Sequence, residues 1–146
     1  MLPLSERKKM GRFAIQCDVA NIGDVLNARE GLLEAAKVRR LTISGVVDSG
    51  ATHMVLPLSV VKRLGLKSSA KIRVRYADRR TALRDMVEGV YVEILGRHSP
   101  FSAIVEPKRR SALIGAIVLE GLDLLVDCTH QRLVPRHPRF MTSEIE

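Results

Sequence analysis

Asp48 is the residue whose setting best suits chemistry. It ends the apolar stretch Val46-Val47 and is followed by Ser49, Gly50, Ala51 and Thr52. A carboxylate that leaves a β-rich run and enters a turn is partly withdrawn from water, where it can exchange a proton with a bound molecule. Gly50 permits a close backbone approach that a side chain would block, and Ser49 adds a hydroxyl beside the acid. The same tripeptide also suits a strand-to-helix turn in which the Asp merely caps backbone N–H groups. Apart from Asp48 itself, residues 46 to 52 carry no charge, so the local sequence offers no cation to hold the carboxylate ionised. Other candidates are weaker. His53, His98, His130 and His137 show no metal spacing, and Cys128-Thr129-His130 supplies only part of a zinc site. No metal and no cofactor is expected. Ser49 lacks a His/Asp order that would make it a hydrolase nucleophile.

The elements that must hold Asp48 follow from periodicity. Residues 13 to 19 alternate as a strand, and Leu41 to Val47 form a β-branched run leading into the acid. Between them, residues 21 to 36 read as a connection, with helix formers in its second half. Pro57 suits a first helical turn and Gly65 the position past its end, which predicts a short buried helix with Val60, Val61 and Leu64 on one face. Ile72, Val74 and Tyr76 then alternate with Lys71, Arg73 and Arg75. A polar tip from Ala77 to Thr81 leads to a second long strand, Val87 to Leu95. A shorter strand, Ala103 to Glu106, is ended by Pro107. Leu113-Ile114-Gly115 opens another apolar run, residues 116 to 122 suit a helix, and residues 124 to 134 form a last hairpin around Cys128 to Gln131. Many short strands with one or two short helices predict a small, mostly-β closed or sandwiched fold.

Composition sets the outer bounds. A single domain of 146 residues buries about two-thirds of its unfolded surface and needs no disulfide framework; Cys17 and Cys128 are far apart in sequence. No stretch approaches the ~18 apolar residues of a membrane span, and the start has no apolar secretory core, so a cytoplasmic protein is expected. The net charge of +8, from 24 Lys and Arg against 16 Asp and Glu, raises the question of nucleic acid. The basic residues are scattered, however, and aromatics for base stacking are few (Phe13, Tyr76, Tyr91, Phe101, Phe140), which favours a solvated basic surface. Residues 1–10 read as a flexible leader, 11–138 as the domain and 139–146 as a C-terminal tail.

An apolar strand, Asp48-Ser49-Gly50-Ala51, a short helix ending Leu64-Gly65-Leu66, a long hairpin, and Leu113-Ile114-Gly115 before a helix together resemble the retropepsin-like aspartic proteases, in their cellular, bacterial-type form. The resemblance spans residues 13 to 135. It implies a small acid-protease β fold acting as a homodimer, with Asp48 as the catalytic carboxylate and Ser49, Gly50 and Ala51 supporting its loop. Leu113, Ile114 and Gly115 match the family's second motif. Tyr76, Ala77 and Asp78 fall where the family has its mobile, substrate-covering flap. With one Asp-Ser-Gly per chain, an active enzyme needs two copies, and the termini would interleave at their interface. The implied partners are a second copy and a peptide or protein substrate, with neither membrane nor nucleic acid. Viral members place an acid four residues after the catalytic Asp and an arginine after the Ile-Gly pair, where this chain has Thr52 and Ala116. The flap tip also lacks the viral glycines. An alternative is a catalytically idle dimer of the same fold that binds peptides or serves as a dimerisation module; a basic nucleic-acid binder is a further one.

Overall fold

The computed structural model describes residues 12–146. The expected leader, 1–10, lies outside the described residues. Among the described residues there are nine strands and three short α-helices: β1 (Phe13–Asn21), α1 (Ile22–Arg29), β2 (Arg40–Val47), β3 (Met54–Pro57), α2 (Leu58–Leu64), β4 (Ser68–Arg75), β5 (Thr81–Ile94), β6 (Arg97–Glu106), β7 (Ala112–Ile114), α3 (Ala116–Gly121), β8 (Leu124–Asp127) and β9 (Arg132–Pro135). The mostly-β expectation holds.

Seven strands form one sheet in the order β1-β2-β7-β3-β6-β5-β4, and β1 also pairs with β5. That extra pairing closes six strands into a barrel and leaves β4 outside it on the edge of β5. The closure depends on a break in β5. Residues 81 to 87 pair with β4, residues 90 to 93 pair with β1, and the register against β6 shifts between Val87 and Val90. Gly89 sits in that bulge at φ +78°, and a Cβ there would lie 2.6 Å from the Ile22 side chain. Such an irregularity bends a strand and lets it change partners. The alternating residues of the barrel strands fill one core, with Val19, Val47, Leu56, Val90, Val92 and Ile114 fully buried.

Besides β5 and β6, which begin at Thr81 and Arg97 rather than at Val87 and Ala103, three points depart from the sequence reading. One or two helices were expected and three form. The additional one, α1, occupies the first half of the 21–36 connection. There the Asn21 side chain accepts the Asp24 N–H at 3.1 Å, and the Asp24 carboxylate takes the Arg39 guanidinium at 2.7 Å. This N-cap starts the helix where apolar periodicity gave no signal; the second half holds only a 3₁₀ turn, Ala35–Lys37. The third departure is β3, four residues that pair with β6 and β7 rather than declaring themselves by alternation. The helix from Leu58 ends as expected at Gly65, whose φ of +68° suits glycine. Cys17 is buried and Cys128 exposed, and both are free. No helix among the described residues is long and apolar enough to cross a membrane.

Candidate active site

The chain leaves β2 at Val47, turns through Asp48, and returns as β3, leaving a gap between the two strands. Strand β7 fills it. It runs parallel to β2, with Val46 opposite Leu113 and Val47 opposite Ile114, and antiparallel to β3, with Val55 opposite Leu113. Asp48 N–H continues the ladder by donating to Ile114 O at 3.0 Å, and Ala51 N–H closes the turn onto Asp48 O at 3.1 Å. As the chain passes from β7 into α3, Ala116 N–H donates to Ala51 O at 2.7 Å and Ile117 N–H to Thr52 O at 3.0 Å. Gly115 is essential to that passage: a Cβ there would lie 2.5 Å from His53 O and 2.8 Å from Ala51 O. The two sequence motifs, 48–51 and 113–115, are therefore one structural unit.

The Asp48 side chain is 16% exposed. Its Oδ1 accepts Gly50 N–H at 3.0 Å, and its Oδ2 lies 3.0 Å from Arg12 Nη2. This cation corrects the expectation of a neighbourhood without fixed charge. Strand β1 pairs antiparallel with β2, and Phe13 faces Val47, so the residue before Phe13 reaches the residue after Val47. The local sequence around Asp48 could not reveal Arg12, because the contact is made by pairing across more than thirty positions.

Asp48 lies in the floor of a cavity of about 520 Å³, with Val55, Ile104 and Leu113. Ile72, Val74, Tyr76 and Ala77, from the β4–β5 hairpin, cover it. The hairpin is fastened by Tyr76, whose hydroxyl donates to the Glu106 carboxylate at 2.7 and 2.9 Å; Arg84 Nε donates to the same group. Burial pushes the Tyr76 hydroxyl above its usual range, and the hydrogen bond to Glu106 adds to that.

Most sequence-predicted site residues converge here. Asp48, Gly50, Ala51, Tyr76, Ala77 and Leu113 line the cavity, with His53 beside them. Ile114 is fully buried behind it. Ser49 is exposed. Asp78 turns away, with Arg80 Nε at 2.7 Å from its carboxylate. The remaining histidines are elsewhere: His98 packs on the Tyr91 ring, His130 on Asp127 and His137 on Asp123. No cluster of potential metal ligands occurs among the described residues. Sequence reasoning missed Arg12, Glu106 and Arg109 as members of the site; a signal for Glu106 existed in its place at the end of the strand before Pro107.

The family described as Aspartyl protease matches residues 35–118, a span that holds Asp48, the covering hairpin and Gly115. A comparison with curated proteins gives no match. Among solved structures, the protease of Simian Foamy Virus (mac) is similar at 11% identity and a TM-score of 0.47, over 73% of this chain and 91% of that one. The retroviral protease-like domain of Ddi1 from Leishmania major has 19% identity and a TM-score of 0.46, over 65% and 79% of the two chains. The EIAV protease, solved with the inhibitor HBY-793, has 19% identity and a TM-score of 0.45, over 56% and 77%.

Proposed function

Because the chain belongs to the aspartyl protease family, as the resemblance of its motifs implied, we propose that it is an aspartic endopeptidase in which Asp48 supplies the catalytic carboxylate. The observation that carries this reading is the position of Asp48 at the end of a buried strand, on the floor of a hairpin-covered cavity of about 520 Å³, a volume suited to several peptide side chains. One chain brings one such aspartate, so the working enzyme is a homodimer with the two Asp48 carboxylates facing each other across a two-fold axis. Two carboxyls so close share a proton. The ionised one takes a proton from water, whose oxygen attacks the scissile carbonyl carbon. The protonated one gives its proton to the carbonyl oxygen; the carboxyl that took the water proton then passes it to the amide nitrogen while the other recovers a hydroxyl proton from the adduct, and the C–N bond breaks to release an acid and an amine. The peptide lies extended beneath the hairpin, beside the free edge of β4.

Asp48→Asn should lower kcat/KM for an unfolded protein substrate by about 10³-fold or more while leaving the melting temperature close to that of the wild type. The wild-type rate should follow a bell-shaped pH profile, since the dyad works only when singly protonated. Cleavage that persists in Asp48→Asn, or that rises steadily into alkaline pH, would assign the chemistry to other residues.

A further inference from the structure

The charges lining the cavity do not balance. Its two acids are both engaged from within the chain: Asp48 by Arg12, and Glu106 by Arg84 and the Tyr76 hydroxyl. Arg109 has no such partner, and no carboxylate of the described residues lies within ion-pair distance of it. It stands on the cavity wall after β6, part-buried, and its Nε donates to Ser111 O at 2.9 Å. One edge of the guanidinium is thereby fixed to the backbone, while the other contact, Nη2 to Ser111 Oγ, is long at 3.5 Å. Arg73 and Arg75 add positive charge at the rim.

We propose that the cleft selects peptides with an acidic side chain beside the scissile bond, and that Arg109 receives its carboxylate; the proposal rests on the endopeptidase reading above. A held guanidinium presents paired donors that match a carboxylate in two-point fashion, and it holds little attraction for a neutral amide of the same shape. Partial burial strengthens the preference, because the cation is removed from much of the water that would otherwise screen it. The aliphatic floor and roof, Val55, Leu113, Ile72 and Val74, take apolar residues flanking the acid. The preferred substrate is thus an extended segment in which Glu or Asp interrupts aliphatic residues.

The test uses matched peptides that differ only in Glu, Gln or Lys at one position, with full-length wild type, Arg109→Gln, Arg109→Glu and Asp48→Asn. Wild type should cleave the Glu peptide with a kcat/KM about tenfold or more above the Gln peptide. Arg109→Gln should erase that difference, and Arg109→Glu should favour Lys. Circular dichroism confirms that each variant is folded. Anisotropy with the labelled peptides on Asp48→Asn reads recognition without cleavage. Tighter binding of the Glu peptide, lost when Arg109→Gln is added, supports the proposal even if wild type cleaves nothing, an outcome that sinks only the endopeptidase reading. Equal binding of the Glu and Gln peptides, or equal rates where both are cleaved, overturns the proposal, as does a Glu preference that survives Arg109→Glu.

Discussion

Both oxygens of Asp48 are occupied from within the chain, Oδ1 by Gly50 N–H and Oδ2 by Arg12. In a symmetric pair, one of these oxygens must face the other carboxyl and the attacking water. The Gly50 contact belongs to the turn itself and stays; the Arg12 contact can be given up, since that side chain is 54% exposed. Ion pairs this open to solvent contribute about 0–1 kcal/mol, so in the proposed dimer Arg12 would be a weak competitor for the oxygen that faces the second carboxyl. Arg12→Gln should therefore raise kcat/KM by no more than about fivefold, and the gain should shrink as salt screens the wild-type pair. A loss of activity in that variant would show instead that the guanidinium serves the reaction. At this scale, the legibility of the site divides by distance along the chain. Asp48, Gly50, Ala51 and the 113–115 motif were readable because their chemistry is written in adjacent residues. Arg12 was not, because its role exists only once Phe13 is in register with Val47. The acid at 106 was read as the end of a strand, and only the folded hairpin brings Tyr76 and Arg84 to it.

Among the elements, β7 decides whether the site exists. It is three residues long, yet it holds β2 and β3 apart and carries the chain past the Asp48 loop at Gly115. Gly115→Ala forces a methyl group against two backbone oxygens that cannot swing aside. Overpacking of this kind costs about 1–3 kcal/mol, and here the upper end is expected. The urea midpoint should fall accordingly, and cleavage should fall more than stability because the displaced atoms belong to the Asp48 loop. A variant as stable and active as wild type would mean that the loop has room to yield. The hairpin β8–β9 offers a test by pH. Its tip is tied by Asp127, which takes Arg132 Nε at 3.0 Å and His130 Nδ1 at 2.9 Å; these bonds, Arg132 first, lower its carboxyl from 3.8 to about 2. A carboxyl depressed on folding stabilises the protein fully above its unfolded value and loses that contribution as pH falls through the folded one. The stability difference between wild type and Asp127→Asn should therefore stay constant at neutral pH and close between 3.8 and about 2. A difference that stays unchanged down to the lower value would remove Asp127 as its source. Elements with their own stop signals were legible from sequence, as Gly65 shows for α2, although Pro57 lies just before that helix as its extended cap rather than in its first turn. Those made by partners were not: β3 is a strand because β6 and β7 flank it, and α1 depends on Asn21 and a distant Arg39.

On the scale of the whole molecule, the barrel presents one Asp48, half of the two-carboxylate site proposed above. The unit proposed from sequence, 11–138, is held at its end by Asp123, which accepts His137 Nδ1 at 2.8 Å and Thr142 N–H at 3.0 Å, so the chain stays attached a little beyond that boundary. Exposed apolar residues lie near that end and beside the Asp48 loop: Leu125, Phe140, Met141 and Ile145 in the C-terminal portion, and Ile117 in α3, whose N–H binds Thr52 O. They are material for the contact between copies that the proposed mechanism requires. If the catalytic pair is assembled from two chains, an inactive chain poisons an active one. Wild type and Asp48→Asn, unfolded together in equal amounts and refolded, should give a random mixture in which about a quarter of the dimers are wholly wild type. Half of the wild-type chains are then trapped with a partner lacking its carboxylate, and total activity should drop to about half that of the same amount of wild type refolded alone. Dilution should lower specific activity in both samples as dimers separate. The contrary result is equally clear. Activity that is indifferent to the added Asp48→Asn chain, and independent of concentration, would place a complete catalytic site in each chain, and the two-fold arrangement proposed for Asp48 would be wrong.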